Sequence, residues 1–258
     1  MMSAKRSAAL PSAIFATLLL LTTFVMVAVM PARAHADQPE AYGLWVAGTQ
    51  VTEQNADDIL GDGAASFDSE TETLTLVGAT IGQGNVQLDG STVLCGIAAT
   101  DDLDTLCITF AGDVPSTITA SSTDESDTVC GIYCDTELII YGEGALDINV
   151  GGQDAEGIKA PSNSVKVYDG ATVNVSFASS GMAGIEAMYF EARDANVTVG
   201  EGADTGISAH GWVYAYGLAK VAAQGSDYGV WCPAFLMEDY AYLKAKGTGR
   251  FAHGLHFE

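Results

Sequence analysis

The sequence predicts an all-β chain, a single-stranded right-handed parallel β-helix with an N-terminal cap. Three observations predict it: a recurring Gly-aliphatic dipeptide, short apolar runs that alternate with polar residues, and glycine-rich corners between those runs. The dipeptide returns at Gly96-Ile97, Gly131-Ile132, Gly157-Ile158, Gly184-Ile185, Gly206-Ile207, Gly229-Val230 and Gly254-Leu255, at intervals of 35, 26, 27, 22, 23 and 25 residues by subtraction. A fixed period of this length marks a solenoid, in which no turn buries its inner face until neighbours stack on it.

In chain order, residues 1–36 read as a secretory signal peptide. Lys5 and Arg6 precede an apolar run from Ile14 to Met30, and Ala34-His35-Ala36 supplies the small-x-small pattern that places cleavage before Asp37. No later stretch is apolar enough to span a bilayer, so no membrane association is expected after leader cleavage. Residues 37–81 read as the cap and first strand. A solenoid must cover its first open edge, and Tyr42, Trp45 and the alternating run Leu74-Thr75-Leu76 suit that role.

Residues 82–258 carry the repeats. Behind each Gly-aliphatic pair but the last come two strand-like runs. One set is Ile108/Phe110, Ile139/Tyr141 and Val165/Val167; the next is Leu146/Ile148/Val150, Val173/Val175/Phe177, Val197/Val199 and Val221/Ala223. Their period of two is that of a strand with one buried face. Corners such as Gly142-Glu143-Gly144 and Asp169-Gly170 separate them. Seven or so rungs at ~4.8 Å make a rod of about 30 to 35 Å, and the general crossover preference predicts the right-handed form. An antiparallel sandwich also has many short strands, but gives no reason to reset one dipeptide at every return.

Charge narrows the partners. The leader holds three of the ten basic residues, which leaves seven against 33 acidic ones, and Asp37 to Ile158 contains no Lys, Arg or His. Phosphate recognition depends on basic groups, so nucleic acid is excluded. Such a field attracts cations or a basic partner, or simply keeps a secreted protein soluble. Five cysteines are too few for a fold that depends on bridges. Cys95 and Cys130 fall in one column on adjacent turns, within reach of a disulfide. Cys134 and Cys232 share another column several turns apart, and Cys107 has no assignable partner. All five also fit the role of small buried hydrophobes.

The stretch Tyr42-Gly43-Leu44-Trp45-Val46-Ala47-Gly48-Thr49-Gln50-Val51-Thr52, then Asn55-Ala56-Asp57-Asp58-Ile59-Leu60-Gly61-Asp62-Gly63, Phe67-Asp68, Thr73-Leu74-Thr75-Leu76 and Ala79-Thr80-Ile81 resembles the opening module of secreted or surface β-helical proteins of anaerobic bacteria. Those proteins are commonly labelled carbohydrate-binding-domain proteins. The resemblance covers about forty residues. It implies a β-helix and an extracellular location, and it maps no sugar site onto particular residues.

Candidate chemistry is sparse. Calcium is the cation that three acidic loop clusters could take: Asp57, Asp58 and Asp62; Asp101, Asp102 and Asp104; and Asp124, Glu125 and Asp127. Calcium needs six to eight oxygen ligands, and none of these clusters has the spacing of a recognised calcium loop. Asp101 and Asp102 resemble the paired aspartates of polygalacturonases, and His210-Gly211 and His253-Gly254 a histidine of those sites, but the accompanying Arg-x-Lys element has no counterpart. No cofactor and no catalysis are expected. Aromatics gather late in the chain. Trp212, Tyr214 and Tyr216 share one face of their strand, with Tyr240 and Tyr242 expected a turn later. Facing outward, such a column is a platform for sugar rings; facing inward, it is core. Lys220 and Lys244 nearby would suit an acidic sugar in the first case. The expectation is a non-catalytic extracellular protein that binds a polysaccharide or cell-surface component through this face. The alternatives are an adhesive surface protein that docks a protein partner and a degenerate polysaccharide lyase or hydrolase.

Overall fold

The computed structural model describes residues 39–256 apart from Asp89 and Phe251; the expected signal peptide and its cleavage site lie outside the described residues. Two antiparallel hairpins open the chain, β1 (Ala41–Val46) with β2 (Thr49–Thr52) and β3 (Ala65–Asp68) with β4 (Thr73–Leu76). They are followed by β5 (Thr80–Gly82), β6 (Gly84–Leu88), β7 (Ser91–Ala99), β8 (Thr105–Phe110), β9 (Ser116–Ser121), β10 (Thr128–Cys134), β11 (Glu137–Tyr141), β12 (Ala145–Gly151) and β13 (Ala155–Tyr168). The rest are β14 (Thr172–Phe177), β15 (Gly181–Arg193), β16 (Asn196–Val199), β17 (Ala203–Tyr216), β18 (Lys220–Gly225), β19 (Tyr228–Trp231), β20 (Ala234–Met237), β21 (Tyr242–Gly247) and β22 (His253–His256). No helix among the described residues is long and apolar enough to cross a membrane.

The strands stack as parallel coils of a β-helix with three ladders. The first runs through β7, β10, the leading halves of β13, β15 and β17, then β19 and β22. The second runs through β4, β8, β11, the trailing halves of the same three long strands, and β20. The third is the 7-stranded sheet that contains β5, β9, β12, β14, β16, β18 and β21. Because β13, β15 and β17 turn the corner without a break, the first two ladders merge into one sheet.

The Gly-aliphatic pairs stand in register. Ile97, Ile132, Ile158, Ile185, Ile207, Val230 and Leu255 are successive partners along the first ladder. The glycines have a steric cause. A β-carbon at Gly96, Gly131, Gly157 or Gly184 would overlap a methyl group of Ile118, Ile148, Val175 or Val199, the third-ladder residue that faces it across the core. A side chain is excluded at each of these points, and the aliphatic residue beside each glycine fills the remaining space.

Alternation places Leu106/Ile108, Leu138/Ile140 and Val165/Val167 inward in the second ladder, and all six are fully buried. The expected Ile139/Tyr141 pair is therefore one residue out of phase. Consecutive apolar residues over Leu138–Tyr141 satisfy both phases in sequence, and a one-residue slip exchanges the faces. The leading edge is covered by β1 and β3 of the predicted cap and by β6, which lies beyond residue 81, the expected end of that cap. β1 pairs antiparallel with one end of β7 and β6 with the other, while β3 covers the edge of β4. These antiparallel partners occupy the leading edges of two ladders that would otherwise template another chain.

Cys95 and Cys130 are direct ladder partners, buried beside Val86, Val93 and Ala98, and both thiols are free. Burial pushes the Cys95 and Cys134 thiols up to about 12 and that of Cys130 well above the ordinary range. Cys134 and Cys232 point into the main core, and Cys107 is partly exposed.

Candidate functional site

The phase of β17 decides the site. Val213 and Ala215 are fully buried, so Trp212, Tyr214 and Tyr216 between and beside them face outward on the second ladder. Beneath Trp212 lies Tyr189, its ladder partner on the preceding turn. Their rings stack with centroids 4.9 Å apart at 29°, Trp212 meets Tyr214 edge-on at 6.3 Å, and Tyr214 stacks on Tyr216 at 4.5 Å and 19°. Gly211 makes this possible, because a β-carbon there would overlap the ring of Tyr189. Trp212 and Tyr214, with Ala234, Phe235 and Leu236 of the next turn, line an open apolar groove of about 380 Å³.

Carboxylates hold the platform from both sides. The Tyr214 hydroxyl donates to Glu238 Oε2 at 2.6 Å and the Tyr216 hydroxyl to Glu191 Oε1 at 2.8 Å. The bond to Glu238 pushes the Tyr214 phenol up to about 12. Burial, then the bond to Glu191, raises Tyr216. Arg193 lies 4.5 Å above the Tyr168 ring and donates to Asp169 at 2.6 Å, which closes the polar edge of the face.

Tyr240 and Tyr242 do not join this platform. The residues one turn above Trp212 and Tyr214 are Ala234 and Leu236. Tyr242 pairs with Lys220 on the third ladder, 56% exposed, and Tyr240 sits at the corner before it, 85% exposed. Lys244 is likewise on the third ladder, opposite Ala222. The pairing with an acidic sugar suggested by Lys220 and Lys244 therefore has no geometric basis on the aromatic face.

The acidic clusters are not assembled for a metal. Among the described residues no group of three or more His, Cys, Asp or Glu side chains could hold an ion. Asp124 instead accepts from the Ser126 amide at 3.0 Å and its hydroxyl at 2.8 Å, and Asp127 accepts from Ser122 at 2.6 Å, while Glu125 is exposed. In the cap, Asp58 accepts from the Gly63 amide and Asp62 from Ala64, both at 2.9 Å. Asp104 is exposed, and its amide donates to Glu72. The carboxylates of Asp58, Asp62, Asp124 and Asp127 thus close turns, as Asx side chains do throughout loops.

Asp101 and Asp102 find a different setting. With Asp135 they line a polar cleft of about 440 Å³ walled by Trp45 of the cap and reaching Gln87 and Asn163. Four of these six residues escape sequence reasoning because the cap, the β6 hairpin and two successive corners supply them.

A second group missed in sequence lies on the outer face of the first ladder. Lys159 and Glu186 are partners on adjacent turns, each two residues after its glycine, and that shared offset is the signal that could have found them. Lys159 Nζ stands 2.6 Å from Glu156 and 3.7 Å from Glu186, which His210 Nε2 meets at 3.0 Å. Burial, then its hydrogen bond with Glu186, pushes the Glu156 carboxyl up to about 8. Burial alone would raise Glu186, but its bonds with Glu156 and His210 outweigh that and hold it low. Glu156 Oε2 meets the Lys159 ammonium at 2.6 Å, but burial and the adjacent Glu186 outweigh that attraction and favour the protonated carboxyl. Glu156 is fully buried, so no substrate reaches it.

Fold and surface together define an all-β parallel β-helix with an outward aromatic platform. No family model, no curated protein and no solved structure matches the chain.

Proposed function

We propose that this is an exported, non-catalytic β-helix that binds a polysaccharide or a glycan of a cell surface through the aromatic side face. The observation that carries the reading is the outward ladder Tyr189, Trp212, Tyr214 and Tyr216, locked by mutual stacking and by hydrogen bonds from its phenols. Sugar rings present apolar C–H faces with hydroxyl rims. A rigid aromatic surface flanked by carboxylate acceptors matches both, and its fixed side chains lose little entropy on binding. The leader in residues 1–36 and the resemblance of the cap to surface proteins support export.

Glycan-array and affinity-electrophoresis measurements test it. The intact protein should bind, Trp212→Ala should weaken binding at least tenfold, and melting should confirm that the variant is folded. Equal binding by a folded Trp212→Ala protein would refute the aromatic site.

A second reading, docking of a protein partner, draws on the last turn. β20, β21 and β22 each pair on one side among the described strands, and inward Phe235, Leu243 and Leu255 are only partly buried there. Self-association in sedimentation that is abolished by Leu243→Lys would favour it over the glycan reading.

A further inference from the structure

We infer that the ligand is a linear, unionised glycan that lies parallel to the coil axis and occupies both the aromatic groove and the Trp45 cleft. The inference rests on the glycan reading above and adds the direction, the second subsite and the charge class of the chain.

Register carries the direction. Asn163 lines the cleft, and the next residue, Ser164, is the ladder partner of Tyr189, which partners Trp212, which partners Ala234 of the groove. Three ladder steps at ~4.8 Å make a track of about 14 Å from the cleft margin to the groove, along one column of the rod. The cleft then continues the track over the earlier turns through Asp135, Asp101 and Asp102. A short ligand is held by the aromatic groove, whereas a chain reaches the cleft as well.

The chemistry of the cleft fits sugar. Trp45 offers a ring face, while Gln87 and Asn163 offer paired donors and acceptors and the three aspartates offer acceptors for hydroxyl groups. Charge sets the class. The described residues contain no basic side chain before Lys159. Lys159 is held by Glu156 and Glu186, Lys166 by Glu137 at 2.6 Å, and Arg193 by Asp169. A uronate or sulfated polymer would thus meet uncompensated carboxylates along the track, and its own charge would be repelled.

The test is affinity electrophoresis against neutral polysaccharides (a mixed-linkage β-glucan, a galactomannan and an unsubstituted xylan) and against polygalacturonate and alginate. For any neutral polymer bound, calorimetry with its two- and six-unit oligosaccharides follows. The six-unit ligand should bind at least tenfold more tightly than the two-unit ligand. Trp45→Ala should remove that gain, with the two-unit affinity within about twofold of the parent. Asp101→Lys with Asp102→Lys, both on exposed positions, repeats the test with Trp45 left in place, and should admit polygalacturonate. Unchanged six-unit affinity in both variants, or tighter binding of uronates by the parent protein, overturns the inference even where Trp212→Ala abolishes binding. Failure of every polymer to bind overturns the glycan reading as well.

Discussion

Replacement of Glu156 by Gln should stabilise the protein at neutral and alkaline pH. The carboxyl is fully buried and its pKa is raised from 4.5 to about 8, by burial first and then by its bond with Glu186. Below pH 4.5 the folded and unfolded chains both carry the proton, and the stabilising contribution is fully present. As pH rises toward 8 the unfolded chain releases the proton and the folded chain retains it, so the contribution is lost progressively until the folded pKa is passed. At about 1.4 kcal/mol per pH unit the whole interval amounts to roughly 4 to 5 kcal/mol as an upper bound. The value near 8 already contains the opposing pull of Lys159, and relaxation of the surroundings when the carboxyl ionises reduces the full interval, so about 2 kcal/mol is expected, or about 4 to 8 °C in melting temperature. Glutamine has the shape of the protonated acid and does not titrate. Thermal melts of the parent and Glu156→Gln from pH 4.5 to 8.5 should therefore start together and diverge, with the variant higher at the alkaline end. If Glu156 were instead an ionised partner of Lys159, its removal would cost stability. A variant that melts lower by a constant amount across that range would refute the reasoning.

Three other outcomes follow from the same structure. Gly157→Ala should lose about 1 to 3 kcal/mol in denaturant unfolding, because its methyl would overlap Val175 across a close-packed core, whereas Gly82→Ala, with open space around it and an ordinary backbone conformation, loses less. Under native conditions a thiol reagent should modify Cys107 first and leave buried Cys95, Cys130, Cys134 and Cys232 unreacted until the protein unfolds, since their thiolates are suppressed by burial. Gly211→Ala should displace Tyr189 from Trp212 and weaken glycan binding several-fold with little change in melting, as read by calorimetry and by the near-ultraviolet aromatic signal.

The Glu156 network and the aromatic face show how one architecture supports two different surfaces. On the first ladder, alternate outward positions bring ionisable groups from successive turns within salt-bridge distance, and the buried carboxyl is accommodated by keeping its proton. On the second, the same stacking brings the Tyr189 and Trp212 rings of adjacent turns to 4.9 Å, and alternation along β17 sets Tyr214 on Tyr216 at 4.5 Å. The platform and the cleft share one side of the rod, whereas Tyr242, Lys220 and Lys244 belong to the third ladder.

By itself the sequence determined the solenoid and the register of its first ladder. Each follows from a local constraint repeated at every turn: a glycine where no β-carbon fits, an aliphatic residue beside it, and alternation that buries one face. The tertiary structure alone decided what meets on the outside. Counted from their glycines, Ser164, Tyr189, Trp212 and Ala234 stand at offsets of 7, 5, 6 and 5, yet they form one column because the corners before them differ in length. Corner length is free to vary wherever the backbone is solvated, so sequence spacing does not fix which outward side chains align. The cleft combines the cap with four later segments for the same reason, since closure of the coil, and not proximity along the chain, brings Trp45 to Asp135 and Asn163.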